Sequence, residues 1–105
     1  MKTTGNTVFI SGGSAGIGLA IAKKLSAEGN RVIINGRSAE RLQKALSELK
    51  NAVGIQGDLS LEADRVRIAH ALADQYPDIN IVVNNAGAAF LNNLGDSANN
   101  AVEKA

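Results

Sequence analysis

The chain has no cysteine, a single histidine, a single tyrosine and a single proline among its 105 residues. Without thiols, disulfides and thiolate metal sites are excluded, and a reducing cytoplasm fits. The lone histidine, His70, sits in the middle of a helical stretch without companion ligands, so metal chemistry is not expected. No apolar run approaches the ~20 residues that cross a bilayer. The opening Met1-Lys2-Thr3-Thr4-Gly5-Asn6 lacks the apolar region of a secretory signal, which predicts a cytoplasmic protein. An excess of one charge is missing too. The net charge is +1, with no cluster of Lys and Arg beyond ordinary helix faces. That disfavours nucleic acid and anionic membranes as partners. With 45% hydrophobic residues, a chain of this length makes one domain with a modest core.

What is present alternates between strand and helix. Thr7-Val8-Phe9-Ile10 is a short apolar run ending at glycines, the pattern of a buried parallel strand. Ile17, Ile21 and Leu25 recur at helical spacing, and Gly29 marks the C-cap. Arg31 to Asn35 reads as a second strand. Ser38 reads as the N-cap of a helix carrying Leu42, Ala45, Leu46 and Leu49 on one face. Ala52 to Gln56, interrupted by Gly54, is a weaker third strand. Ser60 is a candidate cap for a helix reaching Asp74, with Val66, Ala69, Leu72 and Ala73 as its apolar stripe. Tyr76-Pro77-Asp78 breaks that helix, and Ile79 to Val83 is the fourth strand. This rhythm predicts an α/β fold, a Rossmann-like doubly wound parallel sheet with helices on both faces. About four strands and three to four helices are expected, within a unit over residues 1–87. Residues 88–105, rich in Asn and Ala, are expected to be a polar tail, loosely ordered or forming a partial helix.

The segment Ser11-Gly12-Gly13-Ser14-Ala15-Gly16-Ile17-Gly18 carries the strongest chemical signal. Gly12, Gly16 and Gly18 permit a tight turn and a close approach of backbone N–H groups to an anion. The helix behind them favours negative charge at its N-terminus, so the segment suits a pyrophosphate.

The spacing of Ser11-Gly12, Gly16, Ile17 and Gly18 resembles the glycine motif of the short-chain dehydrogenase/reductase family, with Ser where Thr is usual. Asn84-Asn85-Ala86-Gly87 after the fourth strand and Asp58-Leu59 after the third are similar to two further motifs of that family, in the same order. The wording also resembles oxidoreductases of bacterial D-alanylation gene clusters. The resemblance implies that Ser11, Ser14 and Ile17 border the cofactor phosphates. It implies that Asp58 accepts from the adenine amine with Leu59 packed beside it, the alternative being an Asx-turn leading to Ser60. It places Asn85 near the adenosine ribose, with Ala86 and Gly87 admitting the backbone; pairing at the strand end is the other role for the Asn.

Cofactor choice turns on Ile34-Asn35-Gly36-Arg37. Folds that select NAD place an acid there to accept from the ribose 2′-hydroxyl. Gly36 occupies that position and Arg37 follows. A guanidinium can grip a 2′-phosphate bidentately, so NADP(H) is favoured, with NAD(H) as the alternative. Ala15 stands where NADP-preferring relatives often carry a basic residue. A solvated turn residue, or one stacked on adenine, is the other reading of Arg37.

Catalytic residues are not expected in this chain. Reduction in the family uses a Ser and a Tyr-x-x-x-Lys pair, and the sole tyrosine, Tyr76, is followed by Pro77-Asp78-Ile79-Asn80. Tyr76 is expected to pack where its helix ends. The leading expectation is therefore the cofactor-binding portion of a short-chain oxidoreductase, its carbonyl or alcohol substrate met only in a longer form. The alternatives are a stand-alone dinucleotide-binding module and an interaction module whose open sheet edge pairs copies into a homo-oligomer.

Overall fold

The computed structural model describes residues 4–85. Its elements run β1 (Thr7–Ile10), α1 (Gly16–Ala27), β2 (Arg31–Gly36), α2 (Ala39–Leu46), β3 (Ala52–Gln56), α3 (Glu62–Gln75) and β4 (Ile81–Val83). The strands form one parallel sheet in the order β3-β2-β1-β4. Val8, Phe9 and Ile10 lie opposite Val32, Ile33 and Ile34 on one side and Ile81, Val82 and Val83 on the other. The order reverses direction at β1, whose C-terminal end is consequently flanked by the ends of both β2 and β4.

Alternation along the strands divides the core in two. Phe9 and Ile33 face α3 and pack with Leu59, Ile68, Ala69, Leu72 and Ile79. Val8, Ile10, Val32 and Ile34 face α1 and α2 and pack with Ala22, Leu42 and Ala45. Helices thus cover both faces, as the alternating pattern implies. Each large side chain that is fully buried here contributes about 1.5–3 kcal/mol.

Several local expectations shift. Ile17 is 74% exposed and Val66 40% exposed, so neither joins the core. The reason lies in which residues meet the sheet. Helix α1 buries Gly18, Ala22 and Ser26, small residues that bring its axis close, and this turns Ile17 outward. Helix α3 buries Ile68 with Ala69 and Leu72. Leu49 falls after α2 has ended but still packs against the α1/α2 side of the core. Gly54 does not interrupt β3: a Cβ there would meet Leu42 and Leu46 at about 3 Å, so its absence lets α2 settle on the strand. Ser60 does not cap α3, whose N-cap is Leu61 without a side-chain bond. Strand β4 begins at Ile81, because the Ile79 N–H is bonded back to the Tyr76 carbonyl. Tyr76 packs against the α3 side of the core with the Arg31 guanidinium 4.9 Å from its ring centre.

At the N-terminal ends of the strands, a chain of asparagines joins three elements. Asn30 Oδ1 accepts from both the backbone N–H and the Nδ2 of Asn6, each at 3.0 Å. Asn80 Nδ2 donates to Asn6 Oδ1 at 2.8 Å, and Thr7 N–H donates to Asn80 Oδ1 at 2.9 Å. This network ties the starts of β1, β2 and β4 together at the end opposite the glycine segment.

Candidate functional site

The glycine segment leaves β1 into a loop folded tightly over the start of α1. Gly12 adopts φ +68°, a left-handed conformation that favours glycine. A Cβ on Gly18 would collide with the Gly12 carbonyl oxygen, so loop and helix approach more closely than a side chain permits. Ala15, the N-cap of α1, is extended and offers no side-chain cap, and the first turn holds no acid. The leading N–H groups of α1 therefore keep their capacity to bind an anion.

Two residues hold the loop in place. Ser11 is fully buried, and its hydroxyl accepts the Asn85 N–H at 2.7 Å and donates to the Val83 carbonyl at 3.3 Å. The hydroxyl expected beside the phosphates thus joins the loop to the chain after β4, behind the surface that faces a ligand. Asn35, buried at the end of β2, donates through Nδ2 to the carbonyls of Ile55 (3.2 Å) and Gly57 (3.1 Å). Its Oδ1 accepts from the Gly12 N–H at 3.4 Å and its carbonyl from the Gly13 N–H at 2.9 Å. One side chain thereby sets the glycine loop against β2 and β3, a role the sequence reading gave to no residue.

These segments enclose a cleft of about 650 Å³. Gly12, Ser14 and Ala15 line it from the glycine loop; Asn35 to Ser38 and Arg41 line it from the β2 end and α2; Asp58, Leu59 and Ser60 line it from the turn after β3. Of the residues singled out from sequence, Gly12, Ser14, Arg37, Asp58 and Leu59 meet here. Gly16 borders a neighbouring groove, Ile17 stands exposed at the head of α1, and Gly18 lies beneath the loop. Asn85 sits beside Gly12, its Nδ2 3.3 Å from where a Cβ on Gly12 would be. Ala86, Gly87 and the polar tail expected over 88–105 lie outside the described residues.

Asp58 adopts the Asx-turn. Its Oδ1 accepts from the Ser60 hydroxyl at 2.7 Å and the Ser60 N–H at 2.9 Å, and Oδ2 carries neither bond. The Ser60 hydroxyl, then its N–H, and more weakly the Arg37 charge hold the Asp58 carboxyl below the usual carboxylate range. The Asp58 N–H donates to Asp64 Oδ2 at 2.7 Å, which fixes the turn to α3. Leu59 is buried in the α3 side of the core and forms the floor of this edge of the cleft. Arg41 and Gln56 were not singled out from sequence. Gln56 Nε2 donates to the Arg37 carbonyl at 3.0 Å and steadies the turn that carries Arg37. Among the described residues no three His, Cys, Asp or Glu side chains gather at a metal site, and no helix is long and apolar enough to cross a membrane.

The glycine loop thus lies over an uncapped helix start and is joined through Ser11 to Asn85 at the switch in strand order. Residues 6–105 match the short chain dehydrogenase family. The chain belongs to that family. It is similar to the uncharacterized oxidoreductase DltE of Bacillus subtilis (strain 168), 48% identical over 87 residues, 83% of this chain and 34% of that protein. It is 43% identical over 85 residues to serine 3-dehydrogenase of Agrobacterium fabrum, covering 80% of this chain and 34% of that one. Among solved structures, the Pseudomonas aeruginosa RhlG/NADP active-site complex superposes with a TM-score of 0.78 at 31% identity, over 92% of this chain and 46% of that chain. The chain spans about a third of the length of these curated relatives.

Proposed function

We propose that this chain is the cofactor-binding part of a short-chain oxidoreductase, selective for NADP(H) over NAD(H). The observation that carries the reading is the meeting, in one cleft, of the uncapped α1 start with a β2 end that offers Gly36 and Arg37 in place of an acid. The donor set fits a dinucleotide phosphate: backbone N–H groups at the glycine loop, and guanidinium groups at the rim. RhlG, a relative of similar fold, forms an NADP complex.

In this reading the N–H groups near Ser14, Gly16, Ile17 and Gly18 hold the pyrophosphate, and Ile17 shields its outer side. Arg37 grips the 2′-phosphate. Asp58 accepts from the adenine amine through Oδ2 while Oδ1 stays in its turn with Ser60, and Leu59 supports the ring. Asn85 borders the adenosine ribose, and Ser11 positions it. When bound, a nicotinamide dinucleotide would supply or accept the hydride exchanged with a carbonyl or alcohol substrate in a longer form of the protein. Residues 1–105 carry no Tyr-x-x-x-Lys pair to move the accompanying proton.

Titrating the chain with NADPH and NADH, followed by nicotinamide fluorescence and calorimetry, tests the reading. Saturable micromolar binding with NADPH ahead of NADH is expected. A flat response to both would overturn it.

A further inference from the structure

Asn35-Gly36 is the one Asn-Gly pair in the sequence. Asparagine is thermolabile, and most so before glycine, because no Cβ on the next residue hinders attack by its nitrogen. In that reaction the Gly36 backbone nitrogen gives up its proton and attacks the side-chain carbonyl carbon of Asn35. A new C–N bond forms, the bond to Nδ2 breaks, and the amide leaves as ammonia after taking up a proton. Water then opens the five-membered imide at either carbonyl, leaving an aspartyl or an isoaspartyl residue at position 35.

The fold opposes each part of this chemistry. Asn35 is held extended in β2 opposite Ile55, whereas ring closure swings the Gly36 nitrogen towards the Asn35 Cβ and out of the ladder. The leaving amide is bonded to the carbonyls of Ile55 and Gly57, and Asn35 is only 3% exposed to water. The remaining contacts all come from the glycine loop. The Gly12 N–H lies on Asn35 Oδ1 at 3.4 Å, the Gly13 N–H lies on the Asn35 carbonyl at 2.9 Å, and Ser14 covers Gly36. With glycine at 12, 13, 16 and 18, this loop loses much chain entropy on ordering. It therefore opens at less cost than the strands it covers.

We infer that Asn35-Gly36 is a deamidation site guarded by the seated glycine loop, and that its conversion unseats the loop irreversibly. An acid at position 35 has no donor for the Ile55 and Gly57 carbonyls and sets a carboxylate oxygen beside them. The isoaspartyl product also inserts a methylene into the β2 backbone, which shifts Gly36 out of register with Gln56. Either product uncouples the loop from β2 and β3. This chemistry is independent of what the cleft binds.

The test incubates the full chain in mildly alkaline buffer, with and without denaturing urea, and then digests it with trypsin. The peptide Val32–Arg37 holds Asn35 as its only asparagine, so its mass and retention report the amide, aspartyl and isoaspartyl forms. Rapid conversion is expected in urea, and conversion at least ~tenfold slower in the folded chain. Gly18→Ala, which lifts the loop, is expected to react about tenfold faster than Ile68→Val when dilute urea brings both to equal stability, since only the first opens the pair locally. Ser14→Gly, which uncovers Gly36, gives the same comparison should Gly18→Ala not fold. Asn35→Asp, equivalent to one product, is expected to melt at a lower temperature than wild type. No conversion in urea, equal conversion in folded and unfolded chain, or equal rates in the loop and core variants would overturn the guarded site. An Asn35→Asp chain that melts with wild type would overturn the unseating.

Discussion

Ser14 sits directly over Gly36: a Cβ built on Gly36 would lie 2.6 Å from the Ser14 hydroxyl oxygen and 2.9 Å from its Cβ. The hydroxyl can rotate away, but the Ser14 Cβ moves only with the loop backbone. Gly36 is thus more than the place where an acid is missing. The seated glycine loop closes that place to any side chain.

Installing an acid at position 36 therefore has an outcome that depends on residue 14. Gly36→Asp alone is expected to destabilise the chain by about 1–3 kcal/mol through overpacking and to lose NADPH without gaining NADH. Ser14→Gly combined with Gly36→Asp is expected to recover stability and raise NADH affinity. A double-mutant cycle in urea, with nucleotide titrations of each variant, measures the coupling. Additive effects would show that Ser14 and Gly36 act independently.

Gly18→Ala drives a methyl group into the Gly12 carbonyl. Because the obstacle is backbone, the loop must lift from the helix. A stability loss of about 1–3 kcal/mol is expected, with nucleotide affinity falling further than the same loss produces in a core variant distant from the loop. Thermal melts and titrations compared with Ile68→Val make that distinction.

At the other end of the sheet, Asn30→Ala removes the acceptor of two Asn6 bonds in a buried setting. Stranding those donors is expected to cost about 2–4 kcal/mol, read as a lower urea midpoint. Nucleotide affinity of the folded fraction is expected to hold, since the asparagine network lies opposite the cleft.

The Asp58 turn predicts an acid-dependent term in stability. Its folded carboxyl keeps its charge to lower pH than the unfolded one, whose pKa is about 3.9. The bonds to Ser60 therefore stabilise fully above that value and are lost as pH falls through the lower folded pKa. Ser60→Ala removes the hydroxyl bond. The gap between wild type and variant, measured by urea midpoints, is expected to be widest above pH ~5 and to narrow in acid. A constant gap at every pH would mean that the Asp58 charge plays no part.

Much of this architecture was legible in the order of residue types. Runs such as Val32-Ile33-Ile34 suit strands buried on both faces, and their alternation with helical stretches leaves a parallel sheet as the compact solution. Glycine spacing at 12, 16 and 18 located the loop, and Arg37 with Gly36 located the cleft rim. Such features depend on neighbours within a turn or on one pattern repeated. The Asx-turn of Asp58 with Ser60 was likewise open to local reasoning, because its partners are two residues apart.

What the sequence by itself determined, then, is the family, the element order and the location of the glycine loop, all carried by short-range spacing. Only the tertiary structure decided how side chains separated by 20 residues or more are used. Asn35 reaches Gly57 across β3, Ser11 reaches Asn85 across β4, and Ser14 covers Gly36. The same is true of Ile17, which has the spacing of a core residue but is turned outward because Gly18, Ala22 and Ser26 pack more closely on the sheet. Helical periodicity identifies a set of adjacent faces; which face is buried depends on the surface it meets, and that surface is made by other strands.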